Sequence, residues 1–398
     1  MDLHPGHEPM AITSMMFESA ISVTFLFSAF LVFHAYFGYP ISLFLIGLVR
    51  QRSVARQDYF PSVSLIITVF NEENRIREKL DNTLSVLYPE GKLETIVVSD
   101  GSTDQTERIV LEYHDRGITL LPVSVRRGKE HAQREAVAQA KGDLLVFTDV
   151  ATILEPGGLK RIVSNFADPT VGCVSGEDRL IGSGGSAGGE GLYVRYEMWL
   201  RRLETKAHSL VGSSGSFFAA RREVCRDFSG DMQSDFRTVL NSVKMGLRAV
   251  NDPEALGYYK DVSDSKREFN RKVRTVLRGL TVFLRNLEFL NPSQYGFFSY
   301  QYFCHKLLRW LVPIFLISAF VCNGFLIDDG RLFLITFLLQ VMFYGYGVTV
   351  FWIVGTSESL GTLGKIPVYF VTVNASILVA WWKYIMGERI IMWKPSER

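Results

Sequence analysis

Apolar residues gather along this chain in two distinct ways. Four stretches, Phe17 to Val49, Trp310 to Ile327, Leu332 to Val354 and Pro367 to Trp382, are almost free of charge. Each predicts a membrane-spanning helix, which takes about 20 apolar residues, and none keeps the polar face of a buried core helix. From about residue 60 the apolar runs are instead short and β-branched, and amphipathic segments separate them. Val63 to Val69, bounded by Pro61 and Asn71, predicts a strand buried on both faces. A polar helix follows from about Glu73 to Leu87, then a strand over Leu93 to Val98. A helix begins near Asp104, whose carboxylate can cap it. Ile118 to Val123 predicts a third strand, Lys129 to Ala140 a helix, and Leu144 to Phe147 a fourth strand. This alternation predicts an α/β fold, a mostly parallel sheet with helices on both faces.

The flanking charges orient the first span. Residues 1 to 16 carry no Lys or Arg, whereas Arg50, Arg52 and Arg56 follow the span closely. Positive charge stays on the cytoplasmic side, so the stretch from about 50 to 305 is expected in the cytosol. The first span lacks a preceding basic segment and a small-residue cleavage site, unlike a signal peptide. The pattern divides the chain into an extracytoplasmic tail with one span (1–50), a cytosolic domain (51–265), amphipathic interface helices (266–305) and about three further spans (306–398). Three further spans would put the basic tail (Lys383, Arg389, Lys394, Arg398) outside, against the same charge rule, so the side of the tail stays open. The multi-pass protein is expected in the plasma (inner) membrane.

Two segments within the domain have their own character. Residues 182 to 191 are glycine-rich and serve either as a plain linker or as a flap over a cleft. From Glu268 to Leu290, Val273, Leu277, Leu280, Leu284 and Leu287 recur at helical steps, with Arg271, Arg274, Arg278 and Arg285 on another face. Such a helix suits the membrane interface, and lipid head groups account for Arg278 and Arg285. Formal net charge is +2, which points to no nucleic acid. The four cysteines show no paired spacing, so neither a zinc site nor a disulfide framework is implied.

Carboxylates stand where an open parallel sheet binds its ligands, outside the carboxyl ends of the strands. Asp100 and Asp149 follow the second and fourth apolar runs, and Asp235 heads a further helix pattern, Phe236 to Val243, where it can serve as an N-cap. The motifs come in an informative order: Thr-Val-Phe-Asn-Glu (68–72), Ser-Asp-Gly-Ser-Thr-Asp (99–104), Arg-Gly-Lys (127–129) and Phe-Thr-Asp (147–149). Gly-Ser-Phe-Phe-Ala-Ala-Arg-Arg (215–222), Ser-Asp-Phe (234–236) and Arg-Lys-Val-Arg-Thr (271–275) follow. Together they resemble membrane-bound family-2 glycosyltransferases, the group of hyaluronan, poly-N-acetylglucosamine and cellulose synthases. The resemblance covers roughly residues 60 to 290.

The resemblance implies a GT-A-like nucleotide-sugar domain flanked by transmembrane helices, and an inverting transfer from a cytosolic UDP-sugar. It places Asp100 at the nucleotide base, with Glu72 a weaker candidate for the same pocket. Lys129, opening a helix behind Gly128, would meet phosphate or uracil oxygens. Asp149 would hold a Mg²⁺ or Mn²⁺ bridging the donor phosphates, although Ala151 replaces the second acid of the common Asp-x-Asp form. Asp235 becomes the general base. Arg271 and Arg274 match the family's Gln/Arg-x-x-Arg-Trp motif and would stabilise the leaving diphosphate, while Thr275 replaces its Trp. The implied partners are a glycan or lipid-linked acceptor, membrane lipids and other subunits of a glycan synthesis or export complex. Competing readings are a catalytically inactive subunit of such a complex and a transporter. The transporter reading is weakened by spans that show no buried charged side chains of the kind transport sites display.

Overall fold

The four short apolar runs become strands β1 (Val63–Val69), β2 (Leu93–Asp100), β3 (Ile118–Val123) and β4 (Leu144–Asp149). A computed structural model describes residues 8–181, 189–260, 265–353 and 362–390. It adds β5 (Ile153–Leu154), β6 (Val171–Ile181), β7 (Phe217–Arg221) and β8 (Arg248–Lys260) to the same sheet. The strand order is β3-β2-β1-β4-β7-β6-β8-β5. All seven side chains of β1 are buried, as its unbroken apolar run requires. Successive side chains of a strand point to opposite faces. Ile66 therefore packs with Val98, Ala132 and Ala136 below the helix Lys129–Gln139, and Leu65 with Val146, Leu159 and Ile162 below the helix Gly158–Ser164. Helices on both faces are what the alternation predicts. The sheet is mixed: β1 runs parallel to β2 and β4, but β7 is antiparallel to both of its neighbours.

That mixture decides where the loops meet. In register, Thr68 pairs with Asp149 and Val69 with Ser99, so the carboxyl ends of β1, β2 and β4 finish at one edge. Because β7 runs the other way, with Thr148 opposite Phe217, its preceding loop arrives at that same edge. Strand β6, antiparallel to β7, leaves it there, with Ser175 opposite Phe218 and Asp178 just beyond. Strand order reverses between β1 and β4, the switch point where ligands bind in open sheets.

Among the described residues, four helices are long and apolar enough to cross a membrane: Glu18–Val49, Phe297–Phe325, Arg331–Trp352 and Gly364–Ile385. Their outward faces carry exposed large apolar residues, among them Leu26, Phe30, Leu338 and Met342. A continuous apolar surface of this kind is stable against lipid, not water. Lys394 and Arg398 of the basic tail, and residues 182–188 of the glycine-rich segment, lie outside the described residues.

Two expectations about this region are corrected. The amphipathic helix, Ser265–Leu284, does not spend its basic face on head groups. Val273, Leu277 and Leu280 pack against Tyr302, Trp310 and Ile377, which turns the arginines toward the α/β domain. Arg278 pairs there with Glu130 and Arg285 with Asp231. The spans also contain buried charge, because the helix begins before Trp310 and takes in His305, Lys306 and Arg309. Arg309 and His305 each reach Glu197 at 3.0 Å, and Glu204 accepts from Tyr39 Oη at 2.5 Å while meeting His305 at 2.5 Å. This buried ionic cluster ties the helix Gly189–Ala207 to two of the long apolar helices.

Candidate active site

A cavity of about 440 Å³ opens beside the strand ends and continues between the domain and the apolar helices. Five of the sequence-derived site residues line it: Lys129, Asp149, Asp235, Arg271 and Arg274. Asp149, the last residue of β4, donates its N–H to Ser216 O (3.1 Å), which fastens the loop before β7 to the strand end. Lys129 opens its helix after Gly128, whose φ of 105° suits a residue without a side chain. Its Nζ donates to Asp149 Oδ1 at 2.5 Å and to Gly215 O at 3.2 Å.

Asp235 sits in the first turn of the helix Ser234–Lys244 rather than at its N-cap, which is Gln233. Its carboxylate accepts from Phe236 N (2.9 Å) and Gln233 Nε2 (3.2 Å), and it is nearly buried. A carboxylate in the first helical turn is also favoured by the positive end of the helix dipole. Gly215 passes so close that a Cβ there would stand 2.8 Å from Asp235 Oδ2. Opposite, burial first and then the neighbouring Arg278 and Arg271 pull the Arg274 pKa below its ordinary value. Crowded guanidiniums of this sort gain from an anion placed among them.

Two predicted residues do not face the cavity. Asp100 is fully buried, and its two oxygens accept the backbone N–H groups of Arg127 and Gly128, each at 2.9 Å. It therefore shapes the turn that presents Lys129. Glu72 is engaged by the Arg75 guanidinium, Nε to Oε2 at 2.7 Å and Nη2 to Oε1 at 2.8 Å. Arg75 thereby fixes the orientation of the Glu72 carboxylate just beyond the end of β1.

Other lining residues were missed. Asp178 faces the cavity and accepts from Ser214 Oγ at 2.7 Å and from Ser216 Oγ. Sequence reading alone offers little to find it, since Asp178 owes its place to the reversed strand β7. Beneath Asp149 lies Lys79, fully buried, donating to Thr148 Oγ1 (3.0 Å) and Thr152 O (2.5 Å). Burial lowers its pKa to about 7, against the opposing pull of the Asp149 carboxylate. The unfolded value is near 10.4, so the unfolded chain binds more protons between about pH 7 and 10 and this group's contribution to stability rises with pH there. The slope is at most about 1.4 kcal/mol per pH unit. Lys79→Met should flatten it, measured by chemical denaturation of the full chain across that window; an unchanged slope would contradict the assignment.

Among the described residues no three His, Cys, Asp or Glu side chains converge as a metal cage. Asp149 alone, partly open to the cavity, fits a hard cation that takes one or two protein carboxylates and completes its shell with phosphate and water.

Comparison with known proteins places these observations. Residues 64–228 match the model of Glycosyl transferase family 2. A poly-β-1,6-N-acetyl-D-glucosamine synthase of Staphylococcus epidermidis is 30% identical over 122 residues, which is 30% of this chain and 29% of that protein. The synthase of Staphylococcus aureus strain MSSA476 is 27% identical over 125 residues, covering 31% and 30%. The match thus spans under a third of these relatives' own length. A solved mannosyltransferase from Pyrobaculum calidifontis, in complex with GDP-Man and Mn²⁺, shares the fold at a TM-score of 0.74. It is 23% identical, and the alignment covers 93% of this chain and 100% of that one. The fold is GT-A-like, and residues 64–228 are a family-2 glycosyltransferase domain.

Proposed function

We propose that this chain, which carries a family-2 glycosyltransferase domain, moves a sugar with inversion from a cytosolic nucleoside-diphosphate sugar to an acceptor held against the membrane. The observation that carries this reading is the cavity that Asp149, Asp235, Arg271 and Arg274 line together. The acceptor hydroxyl lies against Asp235, whose carboxylate takes the proton as the oxygen attacks the anomeric carbon. The departing diphosphate gains charge as that bond breaks, and Arg271 and Arg274 are placed to meet it. Lys129, presented by the turn that Asp100 holds, adds a third cation at the strand end. Asp149 would hold a Mg²⁺ or Mn²⁺, which supplies charge neutralisation for the two phosphates.

A UDP-N-acetylhexosamine is the first donor to test, because the relatives are named as N-acetylglucosamine synthases. GDP-mannose is the second, because the mannosyltransferase of like fold was solved in complex with it. The product belongs to exopolysaccharide or cell-surface glycan synthesis. Release of nucleoside diphosphate by the purified full chain, measured for each donor with and without Mg²⁺ or Mn²⁺, tests the proposal. Release that requires acceptor and metal supports it; no release with any donor would favour an inactive glycosyltransferase-like subunit.

The arginines divide by environment. Arg274→Ala should lower turnover about a hundredfold, in the range seen when one stabilising donor is removed from a developing charge. Arg285→Ala removes only a half-exposed surface pair with Asp231, worth at most about 1 kcal/mol of stability, and turnover should stay near that of the parent. Equal losses in the two variants would refute this division.

A further inference from the structure

The proposed reaction gives no role to Lys306, a cation on the cavity wall. Lys306 enters from the membrane helix Phe297–Phe325, and its Nζ rests over the rings of Phe236 (4.7 Å) and Trp310 (5.9 Å). Among the described residues no oxygen accepts a hydrogen bond from that Nζ. The acids of the neighbouring helix are committed elsewhere: Glu197 to Arg309 and His305, Glu204 to His305 and Tyr39. Lys306 is half-buried at the cavity wall, and a cation partly withdrawn from water carries a desolvation cost that an anion placed there would offset. Aromatic faces offset only part of that cost.

The surroundings describe the missing partner. On the membrane side the cavity wall is Tyr36, Trp310, Val373 and Ile377, drawn from three of the apolar helices. On the other side the loop Gly212–Ser216 leads from Lys306 to the base. A Cβ on Gly212 would stand 3.1 Å from Lys306 Nζ, and one on Gly215 would stand 2.8 Å from Asp235 Oδ2. Three residues span at most about 11 Å even when fully extended, so the ammonium and the base lie within reach of one sugar and its phosphate linkage.

Resting on the glycosyltransferase reading, we infer that Lys306 binds the phosphate of an amphiphilic acceptor, a sugar joined through phosphate to a lipid chain that lies against Tyr36, Val373 and Ile377. Lys306 touches no reacting atom; it sets which acceptor is held with its hydroxyl at Asp235.

The test measures binding of farnesyl diphosphate, farnesol, inorganic pyrophosphate, UDP and GDP to the purified full chain in neutral detergent, in the parent, Lys306→Met and Lys306→Arg. Farnesyl diphosphate should bind more tightly than farnesol or pyrophosphate alone. Lys306→Met should weaken farnesyl diphosphate by about tenfold to a hundredfold, the size of a hydrogen bond to a charged group. The same variant should leave farnesol and the nucleotides unchanged, and Lys306→Arg should restore the charged lipid. Unchanged farnesyl diphosphate affinity in Lys306→Met overturns the inference. So does an equal loss of UDP or GDP affinity, which would assign Lys306 to the donor, or pyrophosphate binding as tightly as the lipid, which would remove the apolar wall from recognition. Nucleotide binding in Lys306→Met also serves as its folding control. If neither nucleotide binds even the parent, the glycosyltransferase reading falls independently of the lipid results.

Discussion

Asp235→Asn should abolish sugar transfer while nucleotide affinity stays near that of the parent. The amide keeps the shape of the side chain and can still take the Phe236 N–H through its oxygen, so the first turn of the helix Ser234–Lys244 should survive. It cannot take a proton from an attacking hydroxyl. A positioned general base contributes about 10²- to 10⁴-fold, and a loss within this range is expected. Asp178 also lines the cavity, accepting from Ser214 and Ser216. Turnover assays with the preferred donor, together with nucleotide binding, check both halves. Parent-level turnover would remove Asp235 from the base position.

Gly215→Ala should produce nearly the same defect without touching a titratable group. The added methyl would sit 2.8 Å from Asp235 Oδ2, closer than carbon and oxygen tolerate outside a hydrogen bond. Asp235 has little freedom to yield, because Phe236 N and Gln233 Nε2 hold its two oxygens. The carboxylate or the loop must therefore move by several tenths of an ångström, and a misplacement of about 1 Å costs about a hundredfold in rate. Loss of turnover with intact nucleotide binding is the expected pair of results. Nucleotide binding lost together with turnover would show that the loop, held to Asp149 through Ser216 O, serves the donor more than the base.

The part of the fold written in local pattern was legible. Strands β1 to β4 are short apolar runs, and a helical segment follows each of the first three, so their type and order could be read from residues 63 to 149. The later strands were not. β7 owes its place to pairing with β4 and β6, contacts far apart in sequence, and its reversed direction leaves no local mark. Asp178 was missed for that reason, while Asp149 and Asp235 were found because motif order carries them. Asp100 and Glu72 stand at strand ends but off the cavity wall, oriented by the turn at Arg127–Gly128 and by the Arg75 side chain. Position along a strand places a carboxylate at the edge; neighbours decide which way it faces.

Periodicity likewise placed Arg271, Arg274, Arg278 and Arg285 off the apolar stripe but could not say what they meet. Packing of Leu277 and Leu280 against Trp310 turned that side toward the domain, which a membrane-interface reading of the isolated helix does not anticipate. Lys306 and Arg309 went unnoticed because they stand just before Trp310, where the uncharged run begins, although the helix that carries them starts earlier.

An experimental structure of the full chain in lipid, with UDP or GDP and Mn²⁺ bound, tests the central claim most directly. The diphosphate should lie between Asp149 and Arg274, with its terminal phosphate turned toward Asp235. A nucleotide bound outside this cavity, or a diphosphate from which Asp235 points away, would contradict the account.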